Sequence, residues 1–244
     1  MLEQANIIDY LKSYPLYLLP KHILSALIHQ FMRIKNPAIK DFQIKQFIKA
    51  FSVNMSDSQR YRAEEFTDFN DFFTRSLNSD ARDLTAQAGK LLSPVDGQVS
   101  EGGQIEGEQL FQAKGQNYSL TELLGGDASL TKLYQNGSFL TIYLSPKDYH
   151  RIHMPIDGSL QRMIHVPGDL FSVNNSSVKT IPRLFARNER VINIFDTPAG
   201  SMALIQVGAI FVSSIETVWH GEVSPPISEC FYHSHMSRSS SRSD

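Results

Sequence analysis

The chain has 244 residues, of which 41% are hydrophobic and 20% are charged, values that are ordinary for a globular protein with a full hydrophobic core. Its formal net charge of −2 argues against a general attraction to nucleic acid or to an acidic partner. The one cysteine, Cys230, has no partner for an intramolecular disulfide or for a paired-cysteine metal site, which favours a reducing compartment.

The N-terminal segment combines a basic excess with a helical pattern. Residues 1–51 contain seven basic and three acidic side chains, a local net charge of +4. After Pro20, a helix is predicted whose apolar face carries Ile23, Leu24, Leu27, Ile28 and Phe31, with His22, Ser25, His29 and Arg33 on the other face. Such a helix either docks on its own domain core or lies in the headgroup region of a bilayer, and the basic excess favours the bilayer. No run of 18 apolar residues occurs in the sequence, which argues against a transmembrane helix.

Further along the chain, helical periodicity gives way to short β-like runs. Helices are predicted over residues 39–51, over 66–77 with Thr67 or Asp68 as N-cap, and over 120–134. Strands are predicted at 98–100, 139–144, 190–195, 202–207 and 209–215. This order predicts an α+β fold, in which a helical N-terminal part is followed by a largely antiparallel β domain. The Ser- and Arg-rich residues 227–244 are predicted to be disordered.

Three side chains are candidates for chemistry. His150 and His153 belong to residues 148–155, Asp-Tyr-His-Arg-Ile-His-Met-Pro, which put two groups that titrate near neutrality beside a proline bend. Asp96 lies in a tight Pro-Val-Asp-Gly turn, where its carboxylate either satisfies the local backbone or is held in a fixed orientation for chemistry.

A metal site is not expected. The two histidines follow a β-like run, and in a strand their spacing places the side chains on opposite faces, which disfavours a shared metal ion. His233 and His235 lie in the segment predicted to be disordered, so a specific zinc site is not expected there either.

The motifs together resemble one enzyme family. Residues 94–97, 148–155, 168–174 (Gly-Asp-Leu-Phe-Ser-Val-Asn) and 185–190 (Phe-Ala-Arg-Asn-Glu-Arg) resemble the bacterial type of the phosphatidylserine decarboxylase family. The resemblance implies a lyase of phospholipid biosynthesis that converts phosphatidylserine to phosphatidylethanolamine and CO2. It implies a pyruvoyl cofactor made from a serine of the protein itself, without a metal or pyridoxal phosphate.

The resemblance also implies an organisation of the chain. Residues 1–80 form a helical region that associates with a phospholipid membrane surface, residues 81–226 form the α+β catalytic-type domain, and residues 227–244 form an unrelated tail. Family members of this type are peripheral proteins, here expected at the cytoplasmic face of the cell membrane. Self-cleavage in the family yields a second, pyruvoyl-bearing chain that remains a partner of this region.

By resemblance, Asp96 and His153 form a triad with the serine that is processed. A carboxylate that fixes the imidazole tautomer lets histidine remove the serine proton, and the activated serine then attacks the preceding carbonyl. His150 is similar to the family residue that assists decarboxylation or protonation near the pyruvoyl group.

The resemblance also suggests where the substrate binds. A pocket wall is expected from Leu170, Phe171 and Ser172. Binding of the lipid phosphate or of the serine carboxylate is expected from Arg187, Asn188 and Arg190, although charged residues before a strand more often form a solvated edge.

The processing motif of the family, Leu-Gly-Ser-Thr, does not occur in the 244 residues. The chain is therefore expected to lack the serine that gives the pyruvoyl group, to be incomplete at the C-terminus of its β domain, and to be inactive by itself. The alternative is a noncatalytic protein that binds lipid at the membrane surface.

Overall fold

The computed structural model describes residues 4–85, 89–113, 116–212, 214–223 and 233–234. Most of the segment predicted to be disordered, including His235, lies outside these residues, so that prediction stays untested.

The N-terminal part is helical, as the sequence predicts. It contains α1 (Ile7–Ser13), α2 (Lys21–Phe31), α3 (Pro37–Phe51) and α4 (Phe69–Phe73), with 3-10 turns at Tyr14–Tyr17 and Ala63–Glu65. Asp68 caps α4 through a side-chain oxygen that accepts from the backbone of Asp71, which confirms one of the two predicted N-caps. The helix predicted at 66–77 is nevertheless only five residues long. It ends at Thr74, whose hydroxyl donates to the carbonyl oxygen of Asn70 at 2.9 Å.

Aromatic side chains pack α4 on α3. Phe66, Phe72 and Ile44 are each at most 2% exposed. The ring of Phe47, on α3, lies edge to face against Phe69 and Phe72 of α4, with centroid distances of 5.0 and 5.9 Å. The helical part therefore has a hydrophobic core of its own.

Helix α2 buries two of its polar side chains and exposes apolar ones. Lys21 and Ser25 are 7% and 1% exposed, whereas Ile23, Leu27 and Phe31 are 63%, 59% and 45% exposed. The sequence placed Ser25 on the face opposite the apolar side chains, and in the structure Ser25 is turned to the protein. The hydroxyl of Ser25 accepts from the backbone N–H of Phe211 at 3.3 Å, a hydrogen bond that fastens α2 to a distant loop.

The second part of the chain is built on antiparallel strands, which confirms the predicted fold class. A four-stranded sheet has the order β10 (His233–Ser234), β5 (Ser159–Val166), β6 (Arg190–Thr197) and β7 (Gly200–Val207). Three two-stranded sheets pair β1 (Gln98–Gln104) with β4 (Ser138–Tyr143), β2 (Gln109–Ala113) with β3 (Gln116–Ser119), and β8 (Glu216–Thr217) with β9 (Gly221–Glu222). All of these pairings are antiparallel.

Short helices cover the central strand of the larger sheet. The helical signal at 120–134 gives two helices, α5 (Leu120–Leu123) and α6 (Ala128–Tyr134), separated where Gly125 and Gly126 have φ of 72° and 85°. Leu120, Leu123, Leu124 and Leu130 pack with Ile192 and Ile194 of β6. Because β6 is hydrogen-bonded on both sides and covered in this way, its residues Arg190–Phe195 are buried.

The helical part also touches the second part through α1. Helix α7 (Asn175–Thr180) and α8 (Leu184–Arg187) precede β6. The Thr180 hydroxyl donates to the Ser13 hydroxyl at 2.6 Å, and the Ser176 hydroxyl donates to the Asp9 carboxylate at 2.7 Å. These polar contacts set the orientation of the N-terminal helices beside the loops that follow β4 and β5.

Candidate active site

The two histidines lie in the irregular segment that joins β4 to β5. The segment begins with a turn in which the Asp148 carboxylate accepts from the backbone N–H of Ser145 at 2.6 Å and from its hydroxyl at 2.8 Å. This Asp-to-backbone hydrogen bonding fixes the turn immediately before Tyr149 and His150.

His150 is held as a buried, neutral imidazole. Its ring stacks on Phe73 of α4 with a centroid distance of 4.0 Å and an interplanar angle of 24°. Burial lowers the pKa of His150 to about 4, against a smaller opposing effect of the Ser145 carbonyl. Since that carbonyl oxygen, 3.2 Å from Nε2, can only accept, the neutral ring carries its proton on Nε2.

His150 borders a small cavity of about 130 Å³ between the helical part and the β domain. The cavity is lined by His29, Met32, Phe73, Thr74, His150, Phe211, Val212 and Ser214. Apolar side chains and the polar groups of His29, Thr74 and Ser214 therefore line the space beside the neutral imidazole.

A second imidazole borders the same cavity, and sequence reasoning did not select it. His29 lies with Nε2 3.1 Å from Oε1 of Glu222, and the same oxygen accepts from the hydroxyl of Ser214 at 2.6 Å. Arg33 lies 3.6 Å from that oxygen. Because 193 positions separate His29 from Glu222, no local pattern in the sequence could have revealed this pair.

His153 is fixed by its backbone and by a tyrosine. Its N–H donates to the carbonyl oxygen of Pro94 at 2.8 Å, so the histidine segment lies beside the turn that carries Asp96. The Nε2 atom of His153 lies 3.1 Å from the hydroxyl of Tyr149, and the two rings stack with centroids 5.6 Å apart. Tyr149 is 8% exposed, and burial raises the pKa of its hydroxyl.

The carboxylate of Asp96 is bound by an arginine. Arg82 donates from Nε to one oxygen of Asp96 at 2.9 Å and from Nη2 to the other at 2.6 Å. The Nη1 atom of Arg82 donates to Asp57 at 2.9 Å. The structure thus brings the Asp96 turn and the His153 backbone together, while it directs the Asp96 carboxylate at Arg82 and the His153 ring at Tyr149.

A buried guanidinium lies in the same region. Arg75 is 3% exposed, and burial lowers its pKa against the opposing charges of Asp96, Tyr149, Asp148 and Asp57. Within the described residues its Nε has no hydrogen-bond partner. Arg75 lies two residues beyond the end of α4.

The segment from Gly168 to Asn174 packs against the helical part. Gly168 is required by space, because a Cβ atom there would lie 2.7 Å from the backbone carbon of Asn188. Leu170 and Phe171 are at most 1% exposed. The Nζ of Lys21, on α2, lies 4.1 Å from the centroid of the Phe171 ring and 3.2 Å from the carboxylate of Asp169.

Ser172 and Arg187 are the more accessible of the predicted binding residues. Ser172 is half-buried and accepts from the backbone N–H of Asn174 at 3.4 Å. The guanidinium of Arg187 lies 4.7 Å from the centroid of Phe171 and forms an ion pair with Asp169 at 3.6 Å.

Asn188 and Arg190 have partners inside the fold. The side-chain amide of Asn188 donates to the carbonyls of Phe171 and Gly208, and its oxygen accepts from the N–H of Phe171. Arg190, 2% exposed, donates to four backbone carbonyls, those of Leu123, Ala186, Asn188 and Glu122. Burial lowers its pKa to about 10. These residues hold loops around the start of β6, rather than forming the solvated edge that the sequence suggested.

In the described part of the chain, no group of three or more His, Cys, Asp or Glu side chains is arranged to hold a metal ion. Among the same residues, no helix is both long and apolar enough to cross a membrane.

The sequence matches known proteins over most of its length. The family profile described as "Phosphatidylserine decarboxylase" matches residues 69–237, and a second profile, described as "PSD", matches residues 11–52. The "Phosphatidylserine decarboxylase proenzyme" of Methylococcus capsulatus is 53% identical over 213 residues, which are 87% of this chain and 74% of that protein. The proteins of the same name from Alkalilimnicola ehrlichii and Pseudoalteromonas atlantica are each 51% identical, over 91% and 89% of this chain and over 77% and 76% of their own lengths.

These relatives belong to one class of enzyme, the carboxy-lyases that are made as proenzymes. They match most of this α+β protein, including the two imidazoles and the tight aspartate turn. The chain belongs to the phosphatidylserine decarboxylase family. The resemblance inferred from the motifs is confirmed.

Proposed function

We propose that this chain carries the acid–base groups of an enzyme that converts phosphatidylserine to phosphatidylethanolamine and CO2. The observation that carries the proposal is His150, an imidazole kept neutral by burial, at the border of a small cavity. The free ring nitrogen of a neutral imidazole can take up a proton during a reaction step and return it to a carbon or nitrogen atom of a bound headgroup, and a low pKa favours the return.

The surroundings of His150 support this role. Phe73 stacks on the ring and so holds its plane, and the Ser145 carbonyl holds its proton on Nε2. Met32 and Phe73 add apolar surface to the cavity beside the ring.

The cavity fits a pyruvoyl group, because such a small ketone can pack on Met32 and Phe73 with the His150 imidazole beside it. His150 and the apolar side chains that line the cavity would surround it. When bound, the pyruvoyl group supplies the carbonyl that withdraws the electron pair released with CO2.

Asp96 and His153 are proposed to serve the formation of that group. His153 is the base that takes a proton from the serine hydroxyl, and Asp96 is the carboxylate that orients its ring. The hydrogen bond between the His153 backbone and Pro94 supports the pairing, since it holds the two segments side by side.

We further propose that the 244-residue polypeptide does not decarboxylate by itself. It contains no Leu-Gly-Ser-Thr sequence, and Asp96 and His153 cannot replace a ketone. Activity then depends on a pyruvoyl-bearing α chain, as the proenzyme names of the relatives suggest.

The proposed partner surface is a phospholipid membrane, at the cytoplasmic face of the cell membrane. Ile23, Leu27 and Phe31 present an exposed apolar stripe on α2, within a segment of net positive charge. The same stripe favours the second candidate function, a noncatalytic protein that binds lipid at the surface.

Two polypeptides test the proposal. The chain as it stands should give one species near 27.5 kDa, unchanged by hydroxylamine, and no CO2 from phosphatidylserine micelles. Residues 1–226 fused to the C-terminal segment of the Methylococcus capsulatus relative should cleave themselves and release CO2. Asp96→Asn and His153→Gln should stop cleavage in the fusion, whereas His150→Gln should permit cleavage and stop CO2 release. A fusion that cleaves but releases no CO2 would favour the noncatalytic alternative.

A further inference from the structure

The cluster Asp57–Arg82–Asp96 links the candidate site to the helical part. Arg82 binds both oxygens of Asp96, at 2.9 and 2.6 Å, in the two-point geometry that gives the strongest arginine–carboxylate pairs. Its remaining amino group binds Asp57 at 2.9 Å. One guanidinium is therefore shared by two carboxylates from different parts of the chain.

Asp57 is itself anchored. Its backbone carbonyl accepts from the N–H of Asn78 at 2.8 Å, and its carboxylate also accepts from Ser56 at 3.1 Å. The hydrogen bond from Arg82 is the largest cause that lowers the pKa of Asp57. Since Asp57 cannot move toward the site without breaking these bonds, it holds Arg82 on the side of the helical part.

The turn that carries Asp96 is hydrogen-bonded to the backbone of His153, whose ring stacks on Tyr149. The charge of the Asp96 carboxylate acts on Tyr149, whose hydroxyl is 3.1 Å from Nε2 of His153. Arg75, Arg82 and Arg151 act on the same tyrosine with the opposite sign. Asp96 thus has two sets of neighbours, Arg82 with Asp57 on one side and the Tyr149–His153 pair on the other.

We propose that Arg82 is a positioning residue that acts as a latch: it holds the Asp96 carboxylate away from His153, and its release lets that carboxylate pair with the imidazole. The inference rests on the proposed function, which assigns proton transfer to Asp96 and His153. It adds a step that controls proton transfer, because the Asp96–His153 pair forms only when the Arg82–Asp96 ion pair opens. The Pro94–His153 backbone hydrogen bond already holds the two segments side by side while the Arg82–Asp96 pair is closed.

The imidazole N–H and ring nitrogen resonances of His153 report the latch directly. They are measured by NMR on the 15N-histidine-labelled 244-residue chain, which has eight histidines, with a His153→Gln spectrum to identify the signals. Arg82→Gln should produce a downfield-shifted imidazole N–H signal from His153, the signature of a carboxylate partner. The shift should be lost in Arg82→Gln/Asp96→Asn, which separates pairing with Asp96 from the mere loss of a positive charge.

Asp96→Asn alone tests the closed state in a protein that keeps the Arg82 side chain. If the latch is closed, this substitution should leave the ring signals of His153 where they are in the unaltered chain. Arg60→Gln is the matched control, because Arg60 forms a similar two-point pair with Asp71, at 2.7 and 2.6 Å, in the helical part. It should leave His153 unchanged.

Either of two results overturns the proposal. One is a large change at His153 in Asp96→Asn, which would mean that the carboxylate already pairs with the imidazole. The other concerns an Arg82→Gln protein that keeps the native circular dichroism spectrum. The proposal is overturned if its His153 signals match those of the unaltered chain, or if Arg82→Gln/Asp96→Asn shows the same shift. If Arg82→Gln does not fold, the Asp96→Asn result decides alone. No measurement here uses CO2 release, so failure of the decarboxylase assignment would be seen separately.

Discussion

The neutral state of His150 has a consequence for stability that can be measured. Its pKa falls from an ordinary value of 6.5 to about 4 in the folded protein, mainly through burial. Below pH 6.5 the unfolded chain therefore binds a proton that the folded ring does not, and the free energy of unfolding falls as the pH decreases from 6.5 toward 4. Between pH 7 and pH 4.5 this loss amounts to about 2 kcal/mol, at about 1.4 kcal/mol for each pH unit within that window.

The assay is urea unfolding at a series of pH values, for the unaltered chain and for His150→Phe. Phenylalanine keeps the aromatic stacking on Phe73 but does not titrate. We expect the stability difference between the two proteins to change by about 2 kcal/mol between pH 7 and pH 4.5. His22→Phe, at an exposed position of α2, should leave the pH profile unchanged. Parallel profiles for His150→Phe and the unaltered chain would refute the claim that the folded protein excludes a proton from His150.

Three further predictions concern the membrane face and the buried loops. Leu27→Glu, on the exposed face of α2, should weaken binding to anionic vesicles at least about tenfold in a sedimentation assay, because burial of a leucine contributes about 1.5–3 kcal/mol. The control Leu140→Glu, at a similarly exposed position of β4, should not weaken this binding. Gly168→Ala should lower the free energy of unfolding by about 2 kcal/mol in urea, because the added Cβ meets the backbone of Asn188; an unchanged midpoint would contradict this clash. Arg190→Met should lower the free energy of unfolding by about 3 kcal/mol in the same assay, because it removes the hydrogen-bond donors of four buried carbonyls. A decrease of less than about 1 kcal/mol would show that water replaces these donors.

The sequence predicted the elements whose pattern is local. The strands at 139–144, 190–195 and 202–207 and the helix at 39–51 are present within a few residues of the predicted bounds. Strand β5 was missed, because Gln161, Arg162 and His165 interrupt its apolar residues. Its polar side chains find partners only in the folded protein: Arg162 binds Asp127 at 2.9 Å, and His165 binds Glu189 at 2.7 Å.

In the candidate site, too, local features could be predicted from the sequence and contacts between distant segments could not. Residues of one motif, such as His150 and His153, could be selected from the sequence because turn chemistry and titration are local properties. The partners of those residues could not, since the contact of Phe73 with His150 and that of Arg82 with Asp96 depend on how distant segments pack. Arg190 shows the opposite error, because an arginine before a strand has the same local pattern whether it meets solvent or buried carbonyls.

Helix α2 places the proposed membrane face and the candidate site on one element. Its outward side exposes Ile23 and Leu27, while Lys21 anchors it to Asp169 by an ion pair of 3.2 Å. One turn beyond Ser25, His29 borders the cavity that His150 also borders. A helix with its side chains is only about 10–12 Å across, so a lipid whose acyl chains lie along the outward side has its headgroup within reach of that cavity. In the proposed function, a rigid attachment of α2 serves catalysis as well as membrane binding, because polar residues anchor the helix while its exposed apolar residues face the lipid.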